Sequence, residues 1–283
     1  MVSAHPGVPA PWTGTDSHPA PRRLGPWIRC WSPRPAARLR LICLPHAGGT
    51  ASFYRPWATL LPPEVELWGI QYPGREDRFE DLPVDRMDEL VTAVTDALAP
   101  LLDRPYALFG HSMGSAVAWE VAHDLRRRQA LGPRRLFVSG REAPGTATIG
   151  DIHRQSDDVL SRELRRLGGT SDEVLTDPDL RPVVLGCVRN DYRLIETYHP
   201  TPHPPLRCPI EVFTGAADPE LTPRSSRDRA GGWADLTTAR TEVHTFPGDH
   251  FYLAPRRQEV VTAVLRRLDP SLAMGAHRWP STP

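Results

Sequence analysis

Short apolar runs alternate along this chain with stretches in which apolar residues recur every three to four positions. The first pattern is typical of buried strands, and the second is typical of helices that bury one face. The predicted strands are 38–44, 65–71, a run that begins at 106, 135–139, 209–214 and 242–246. The predicted helices are 54–61, 85–102, a helix from the end of the third strand to about 129, 157–167, 179–198, 222–229 and 256–268.

Alternating strands and helices favour an α/β fold, with a mostly parallel, doubly wound sheet and helices on both of its faces. Residues 38–269 carry this pattern, and we expect them to form one domain. Residues 1–37 are rich in proline and poor in apolar runs, which predicts a disordered tail. Residues 270–283 are similar in composition and predict a second, flexible tail.

One segment interrupts the alternation, because no strand is predicted between Arg141 and Pro205. The two helices predicted there indicate an insertion at about 142–205 between consecutive strands of the sheet. A helical insertion above the carboxyl ends of the strands would act as a lid over a site at that edge. An ordinary surface extension without gating is the alternative interpretation.

Composition argues against several classes of partner. The 283 residues carry 34 basic and 34 acidic side chains, so no overall field would attract nucleic acid or an anionic membrane. The four cysteines lack Cys-x-x-Cys spacing, which favours reduced thiols over a metal site or a disulfide framework. No run is long enough to span a membrane, and the first residues do not resemble a secretion signal. We therefore expect a cytoplasmic protein.

A candidate nucleophile lies where the strand that begins at Tyr106 passes into a helix. Residues 110–114 read Gly-His-Ser-Met-Gly, and a serine on such a strand-to-helix turn has its hydroxyl pushed outward. The helix that follows directs its first N–H groups towards negative charge that develops beside Ser112. This short motif also occurs by chance, so the interpretation depends on the flanking strand and helix. Met113 supplies a candidate oxyanion donor.

A serine hydroxyl needs a base within hydrogen-bond reach, and the base needs a group to orient it. His250 follows the last predicted strand and Asp218 follows the strand before it, so both are expected at the same sheet edge as Ser112. Asp249 is too close in sequence to His250 to accept easily from its ring and is expected to be a turn residue. The order Ser, Asp, His along the chain is that of the α/β-hydrolases.

The second oxyanion donor is expected in the loop after the first predicted strand. Residues 46–49 read His-Ala-Gly-Gly, and the two glycines permit a tight path with free backbone N–H groups. We assign this donor to the backbone of Ala47. His46 is expected to have a structural role, and His111 is expected to point away from the nucleophile.

Several longer motifs resemble those of a single family. They are LPHAGGTASFYRPW at 44–57, QYPGREDR at 71–78, GHSMG at 110–114, FVSGR at 137–141, RRLGGT at 165–170 and FPGDHF at 246–251. Residues 38–268 are, on these motifs, similar to the type II thioesterases, the stand-alone editing hydrolases of polyketide and nonribosomal peptide synthesis. The chain departs from the family at 215–220, which read GAADPE, with glutamate where an apolar residue is usual.

The resemblance implies an α/β-hydrolase fold and hydrolysis of acyl thioesters, chiefly aberrant or stalled short acyl groups. The acyl group would leave the phosphopantetheine arm of an acyl or peptidyl carrier protein domain, through an acyl-serine, with no metal or diffusible cofactor. The predicted insertion would cover an acyl pocket. Candidates to line that pocket are Leu185, Val188, Tyr192 and Ile195.

Three other functions remain open from the sequence. A thioesterase of the same family could release a finished product, and a general carboxylesterase could use the same triad. The third alternative is a carrier-binding module without activity, which is suggested only by the altered surroundings of Asp218.

Overall fold

The computed structural model describes residues 21–146, 150–221 and 232–275, which contain an eight-stranded sheet. Its strands are β1 (Arg22–Leu24), β2 (Ile28–Cys30), β3 (Leu39–Leu44), β4 (Val65–Ile70), β5 (Tyr106–His111), β6 (Arg135–Ser139), β7 (Ile210–Gly215) and β8 (Thr241–Phe246). Their order is β1-β2-β4-β3-β5-β6-β7-β8. Strands β3 to β8 pair in parallel, and β1 and β2 form an antiparallel edge.

Helices lie between the strands, as the sequence predicts. The α-helices are α1 (Met87–Leu98), α2 (Met113–Arg127), α3 (Asp157–Leu167), α4 (Asp172–Thr176), α5 (Leu180–Glu196), α6 (Arg257–Leu268) and α7 (Pro270–Gly275). Short 3-10 helices are Ala51–Thr59, Glu76–Arg78, Ala99–Leu101, Ile152–Arg154 and Gly232–Leu236. No helix in the described ranges is both long and apolar enough to cross a membrane.

The sheet is covered on both faces. Successive residues of a strand point to opposite faces, so Ile42 joins a core with α1 and α2, whereas Leu41 joins a core with the 3-10 helix Ala51–Thr59 and α6. Every residue of β3, β4 and β5 is buried, as expected for parallel strands between two helical layers. This arrangement is the α/β-hydrolase fold.

The prediction of a disordered tail over residues 1–37 is wrong for its final part. Ile28 pairs with Ile70 at the edge of the sheet, and both Ile28 and Cys30 are fully buried. Arg29 forms an ion pair with Asp77 at 2.6 Å. A three-residue strand carries no readable periodicity, and it is stabilised here because β4 supplies its hydrogen-bond partners. Residues 1–20 lie outside the described ranges.

The prediction of a flexible tail over residues 270–283 is also wrong for its first residues. Helix α7 follows α6 directly, and Leu272 is buried in the same core as α6. Residues 276–283 and the helix predicted at 222–229 lie outside the described ranges.

The described part of the segment between β6 and β7 contains the 3-10 helix Ile152–Arg154 and the α-helices α3, α4 and α5. The sequence predicted α3 and α5. Ser156 and Ser171 cap α3 and α4 by accepting from backbone N–H groups, and Gly168 ends α3 with φ 82°. The five residues of α4 are too few to show a period. The helices share a small core that consists of Leu160, Leu164, Leu175, Leu185 and Val188.

Candidate active site

Ser112 lies on the sharp turn between β5 and α2, with φ 52° and ψ −119°. Residues other than glycine rarely adopt a positive φ, so the turn is strained. Two glycines permit it. A Cβ on Gly110 would lie 2.1 Å from the Gly114 carbonyl oxygen, and a Cβ on Gly114 would lie 2.1 Å from that of Leu44. This geometry presents the serine side chain at the carboxyl edge of the sheet.

A buried hydrogen-bond network holds the backbone of this turn in place. The Ser112 N–H donates to the Ser139 carbonyl at 2.8 Å, and the Ser115 hydroxyl accepts from the Ser139 N–H at 3.0 Å. The Ser139 hydroxyl lies 2.9 Å from His111 Nδ1 and 2.8 Å from the Tyr252 hydroxyl. The network joins β5, β6 and the loop after β8. Sequence reasoning did not identify Ser115, Ser139 or Tyr252, because these contacts depend on tertiary packing.

His250 and Asp218 meet at the carboxyl edge of β7 and β8. His250 Nδ1 lies 3.0 and 2.9 Å from the two carboxylate oxygens of Asp218. The two residues are 1% and 3% exposed. A carboxylate in this position holds Nδ1–H and leaves Nε2 available as a base. Asp249 instead accepts from the Phe251 N–H at 2.9 Å in an exposed turn, which is the role expected for it.

Close backbone approaches bring the loops of the site together. A Cβ on Gly215 would lie 2.1 Å from the Asp249 carbonyl oxygen, so only glycine lets the β7 loop pass the loop of His250. Gly140 has φ 61°, and a Cβ there would lie 3.1 Å from Cε1 of His250. The end of β6 therefore lies directly against the candidate base.

Two N–H groups of the loop after β3 already have acceptors. The Gly48 N–H donates to Asp191 at 2.7 Å, and the Gly49 N–H donates to the His46 carbonyl at 2.9 Å. Among the residues that the structure describes, the Ala47 N–H donates to no other group. Ala47 thus has the free donor that an oxyanion site needs.

The predicted site residues surround one cavity of about 250 Å³. Ala47, Ser112, Met113 and His250 line it, and Asp218 lies behind His250. The Met113 N–H is in the first turn of α2, where the helix offers it no carbonyl acceptor. A tetrahedral anion formed at Ser112 could therefore accept from two backbone donors.

Helices α3 and α5 line the cavity opposite the sheet. Val188, Tyr192 and Ile195 of α5 contribute to its wall, as the sequence predicts. Leu185 does not line it in the described structure, because it packs into the core shared by the three inserted helices. One turn of helix separates Leu185 from Val188, so periodicity alone cannot tell the two positions apart.

A buried ion pair connects α5 to the loop after β3. Arg75 binds both carboxylate oxygens of Asp191, at 2.7 and 2.9 Å, and also donates to the Gly49 carbonyl at 3.1 Å. The residues are 6% and 2% exposed. Because Asp191 also accepts from the Gly48 N–H, it fixes the peptide plane next to Ala47. Neither residue was identified from the sequence, although Arg75 lies in the QYPGREDR motif.

The other two histidines near the cavity are held neutral. Burial is the main reason that the pKa of His46 is lowered to about 3, and the nearby Arg75 guanidinium also disfavours its protonated form. Burial also lowers the pKa of His111 well below its usual range. The ring of His46 packs edge-on against that of Phe251, with 4.8 Å between the ring centroids, which supports the structural role expected for it.

One group of potential metal ligands occurs in the described ranges, away from the cavity. It consists of Glu211, Glu242 and His244 on β7 and β8. Arg135 and Arg267 form ion pairs with its carboxylates. These cations already neutralise the group, so its chemistry fits a charge network across the sheet edge better than a metal site.

Comparison with known proteins identifies one family. The family model of the thioesterase domain matches residues 39–272. Over 250 residues the chain is 40% identical to a Streptomyces griseus protein named as a probable cadicidin biosynthesis thioesterase. The match covers 88% of this chain and 68% of that relative.

Solved structures of similar sequence share this fold, among them two biosynthetic thioesterases. The type II thioesterase BorB of the borrelidin biosynthetic cluster aligns with a TM-score of 0.77 and 40% identity, over 86% of this chain and 97% of that one. The RedJ thioesterase of the prodiginine pathway in Streptomyces coelicolor aligns with a TM-score of 0.75 and 42% identity, over 81% and 85%. The chain belongs to the thioesterase family and is a type II thioesterase, an enzyme that hydrolyses thioesters.

Proposed function

We propose that this enzyme removes acyl groups from the phosphopantetheine arm of a carrier protein through an acyl-serine intermediate. The observation that carries the proposal is the convergence of Ser112, the His250–Asp218 pair and the N–H groups of Ala47 and Met113 at one covered cavity. A thioester in that cavity meets a nucleophile, a base and two anion donors together.

Acylation follows from these positions. His250 Nε2 takes the proton of the Ser112 hydroxyl as the oxygen attacks the thioester carbonyl. The resulting anion accepts from the backbone N–H groups of Ala47 and Met113, and each donor contributes roughly 3 kcal/mol to the transition state. The C–S bond then breaks, and His250 returns the proton to the departing sulfur of the arm. Asp218 stabilises the imidazolium that forms transiently.

Deacylation uses the same groups with water in place of the serine hydroxyl. His250 takes a proton from the water as it attacks the acyl-serine carbonyl, and then gives a proton to Ser112. The products are a free carboxylic acid and the regenerated enzyme. These two reaction steps use no metal or diffusible cofactor, because the phosphopantetheine belongs to the substrate.

The small size of the cavity favours compact acyl groups over bulky, product-sized ones. Its volume of about 250 Å³ lies below the usual range for pockets that enclose drug-sized ligands, roughly 300–1,000 Å³. We therefore propose an editing role, in which short stalled acyl groups are removed from the acyl or peptidyl carrier domains of a polyketide or nonribosomal peptide synthase. The names of the relatives, which come from biosynthetic pathways, support this setting. We place the reaction in the cytoplasm, with no nucleic acid or membrane partner.

A panel of acyl groups on one purified carrier protein tests the proposal. We expect acetyl to butyryl groups to be hydrolysed with higher kcat/KM than decanoyl or longer groups. Preference for the longest chains would instead indicate product release.

A matched oxygen ester of the best acyl group tests the carboxylesterase alternative. We expect the carrier-bound thioester to be hydrolysed faster than this ester. The reverse preference would contradict the proposal. Tight binding of the carrier protein without turnover of any acyl group would indicate an inactive binding module.

A further inference from the structure

Arg141 lies beside the candidate base and lines the same cavity as Ser112. The register of β5 and β6 places Ser139 opposite His111, so Arg141 leaves the sheet at the edge where Ser112 stands. The preceding Gly140 abuts the His250 ring. The chain position of Arg141 is therefore fixed close to the reacting groups.

Among the described residues, the guanidinium of Arg141 has no hydrogen-bond acceptor. In the described part of the chain it forms no side-chain hydrogen bond or ion pair, although its backbone carbonyl accepts from Trp233 Nε1 at 3.0 Å. Burial lowers its pKa, which reflects the cost of holding the cation there. Arg141 is half-buried, and a guanidinium carries five N–H donors, so the side chain can offer several of them to a ligand in the cavity. A bound acyl group can supply the missing acceptor.

The acids around the cavity are already engaged. Glu163 and Glu220 both pair with Arg166, and Glu196 accepts from two backbone N–H groups of the insertion at 2.9 Å. Three carboxylates and the cation Arg141 thus line the cavity, and Arg166 pairs with two of the carboxylates from outside the lining. This balance gives no net attraction for another anion, so it favours a neutral oxygen as the partner of Arg141 over a carboxylate.

We propose that Arg141 binds a neutral carbonyl or hydroxyl oxygen on the acyl chain, so that the enzyme prefers oxo- or hydroxyacyl thioesters to plain alkyl thioesters of equal length. This inference rests on the proposed hydrolysis of carrier-bound thioesters and adds a specificity residue to it. Hydrogen bonds to charged groups are strong enough to change kcat/KM by roughly tenfold or more.

The test compares hexanoyl, 3-hydroxyhexanoyl, 5-oxohexanoyl and adipoyl thioesters on one carrier protein. The enzymes are the wild type, Arg141→Met and, as a matched control, Arg207→Met, whose side chain is exposed and does not line the cavity. Ratios of kcat/KM between acyl groups cancel differences in expression. Dividing each ratio for the variant by the same ratio for the wild type also cancels the intrinsic reactivity of the thioesters.

In the wild type we expect kcat/KM for 3-hydroxyhexanoyl or 5-oxohexanoyl to exceed that for hexanoyl by about tenfold. Arg141→Met should abolish that advantage while hexanoyl hydrolysis persists. Arg207→Met should keep the wild-type ratios. Equal losses on all four substrates would overturn the proposal, since Arg141 would then act on the shared arm or on folding. A preference for adipoyl that depends on Arg141 would also overturn it.

Binding measurements test this inference independently of the proposed function, because they need no turnover. Non-hydrolysable amide analogues of the hexanoyl and 5-oxohexanoyl groups can be bound to Ser112→Ala enzyme with and without Arg141→Met. A preference for the 5-oxo analogue that disappears with Arg141 supports the inference even without turnover, and equal affinities would contradict it. Absence of turnover of every carrier-bound acyl group by the wild type would refute the proposed function alone.

Discussion

At the scale of single residues, two neighbouring carboxylates have different environments. Asp218 is buried and contacts His250 Nδ1 with both oxygens, whereas Asp249 is exposed and accepts from a backbone N–H in its own turn. Only the first can orient the imidazole. Despite the unusual GAADPE sequence, Asp218 lies just after β7 and within hydrogen-bond distance of His250.

Substitution of the two carboxylates tests their roles. Asp218→Asn should lower kcat by three to four orders of magnitude, because an amide cannot hold the productive tautomer of His250. Asp249→Asn, the matched control, should remain within a few-fold of the wild type. Steady-state kinetics on a carrier-bound acetyl group measure both, and similar activities for the two variants would contradict the assignment of Asp218.

The sequence predicted the principal site residues from local pattern and sheet geometry. Ser112 was identifiable from its turn motif, and His250 and Asp218 from their place after consecutive parallel strands. Asp191 was not identifiable, since its partner Arg75 is 116 positions away and no motif or periodicity marks the contact. Such residues are found only when the packing of the insertion on the sheet is known.

At the scale of elements, helix α5 both lines the cavity and holds the loop that carries Ala47. Asp191 makes this connection through Gly48 and Arg75. The inserted helices therefore bear on the geometry of the candidate oxyanion site as well as on the shape of the acyl pocket.

Replacement of Asp191 should affect stability and catalysis together. Asp191→Ala leaves Arg75 buried without its partner, which costs about 3–5 kcal/mol of unfolding free energy. It should also lower kcat more than it changes KM, because the released loop no longer fixes the oxyanion donor.

Asp172→Ala is the control, since it removes an exposed ion pair of the same insertion and should cost about 1 kcal/mol or less. Chemical denaturation and steady-state kinetics measure the effects. An unchanged kcat in folded Asp191→Ala would show that the loop does not depend on this contact.

The short edge strand β2 gives a second prediction at this scale. Ile28 is fully buried against the sheet, so Ile28→Ala should cost about 2–5 kcal/mol. Leu131→Ala, at a side chain that is 81% exposed, should change stability by about 0.5 kcal/mol or less. Urea denaturation gives both values. A negligible cost at Ile28 would mean that the N-terminal strands contribute nothing to the fold.

The elements that the sequence missed are short. Strands β1 and β2 have three residues each, and α4 and α7 have five and six. None is long enough to show a hydrophobic period, and each depends on a neighbouring element for its partners. The long strands and helices were predictable because each repeats its pattern of apolar residues several times along its length.

At the scale of the whole molecule, several buried histidines couple stability to pH. Burial lowers the pKa of His46 and of His123 to about 3, and that of His111 well below its usual range. The unfolded chain binds more protons than the folded one from about pH 6.5 downwards. Stability is therefore fully present above that pH and falls as the pH falls, by up to about 1.4 kcal/mol per pH unit for each histidine.

Removal of one such histidine should weaken this acid sensitivity. His46→Leu should show a shallower loss of unfolding free energy between pH 7 and pH 5 than the wild type, by at most about 1.4 kcal/mol per pH unit. His199→Leu, at an exposed position, should keep the wild-type slope. Denaturation at a series of pH values measures the slopes, and an unchanged slope in His46→Leu would contradict the neutral state assigned to His46.

The parallel sheet also explains why distant segments form one site. Residues after β3, β5, β6, β7 and β8 meet at one edge, and the insertion after β6 closes over them. The proposed mechanism passes through a covalent bond between Ser112 and the acyl group, so this residue carries the central claim.

The most direct test is the hydrolysis of an acetyl group from a carrier protein by the wild type and by Ser112→Ala, with circular dichroism as a check on folding. The account predicts rapid release of acetate by the wild type and a loss of at least about four orders of magnitude in kcat for the folded variant. Equal rates for the two enzymes would contradict it.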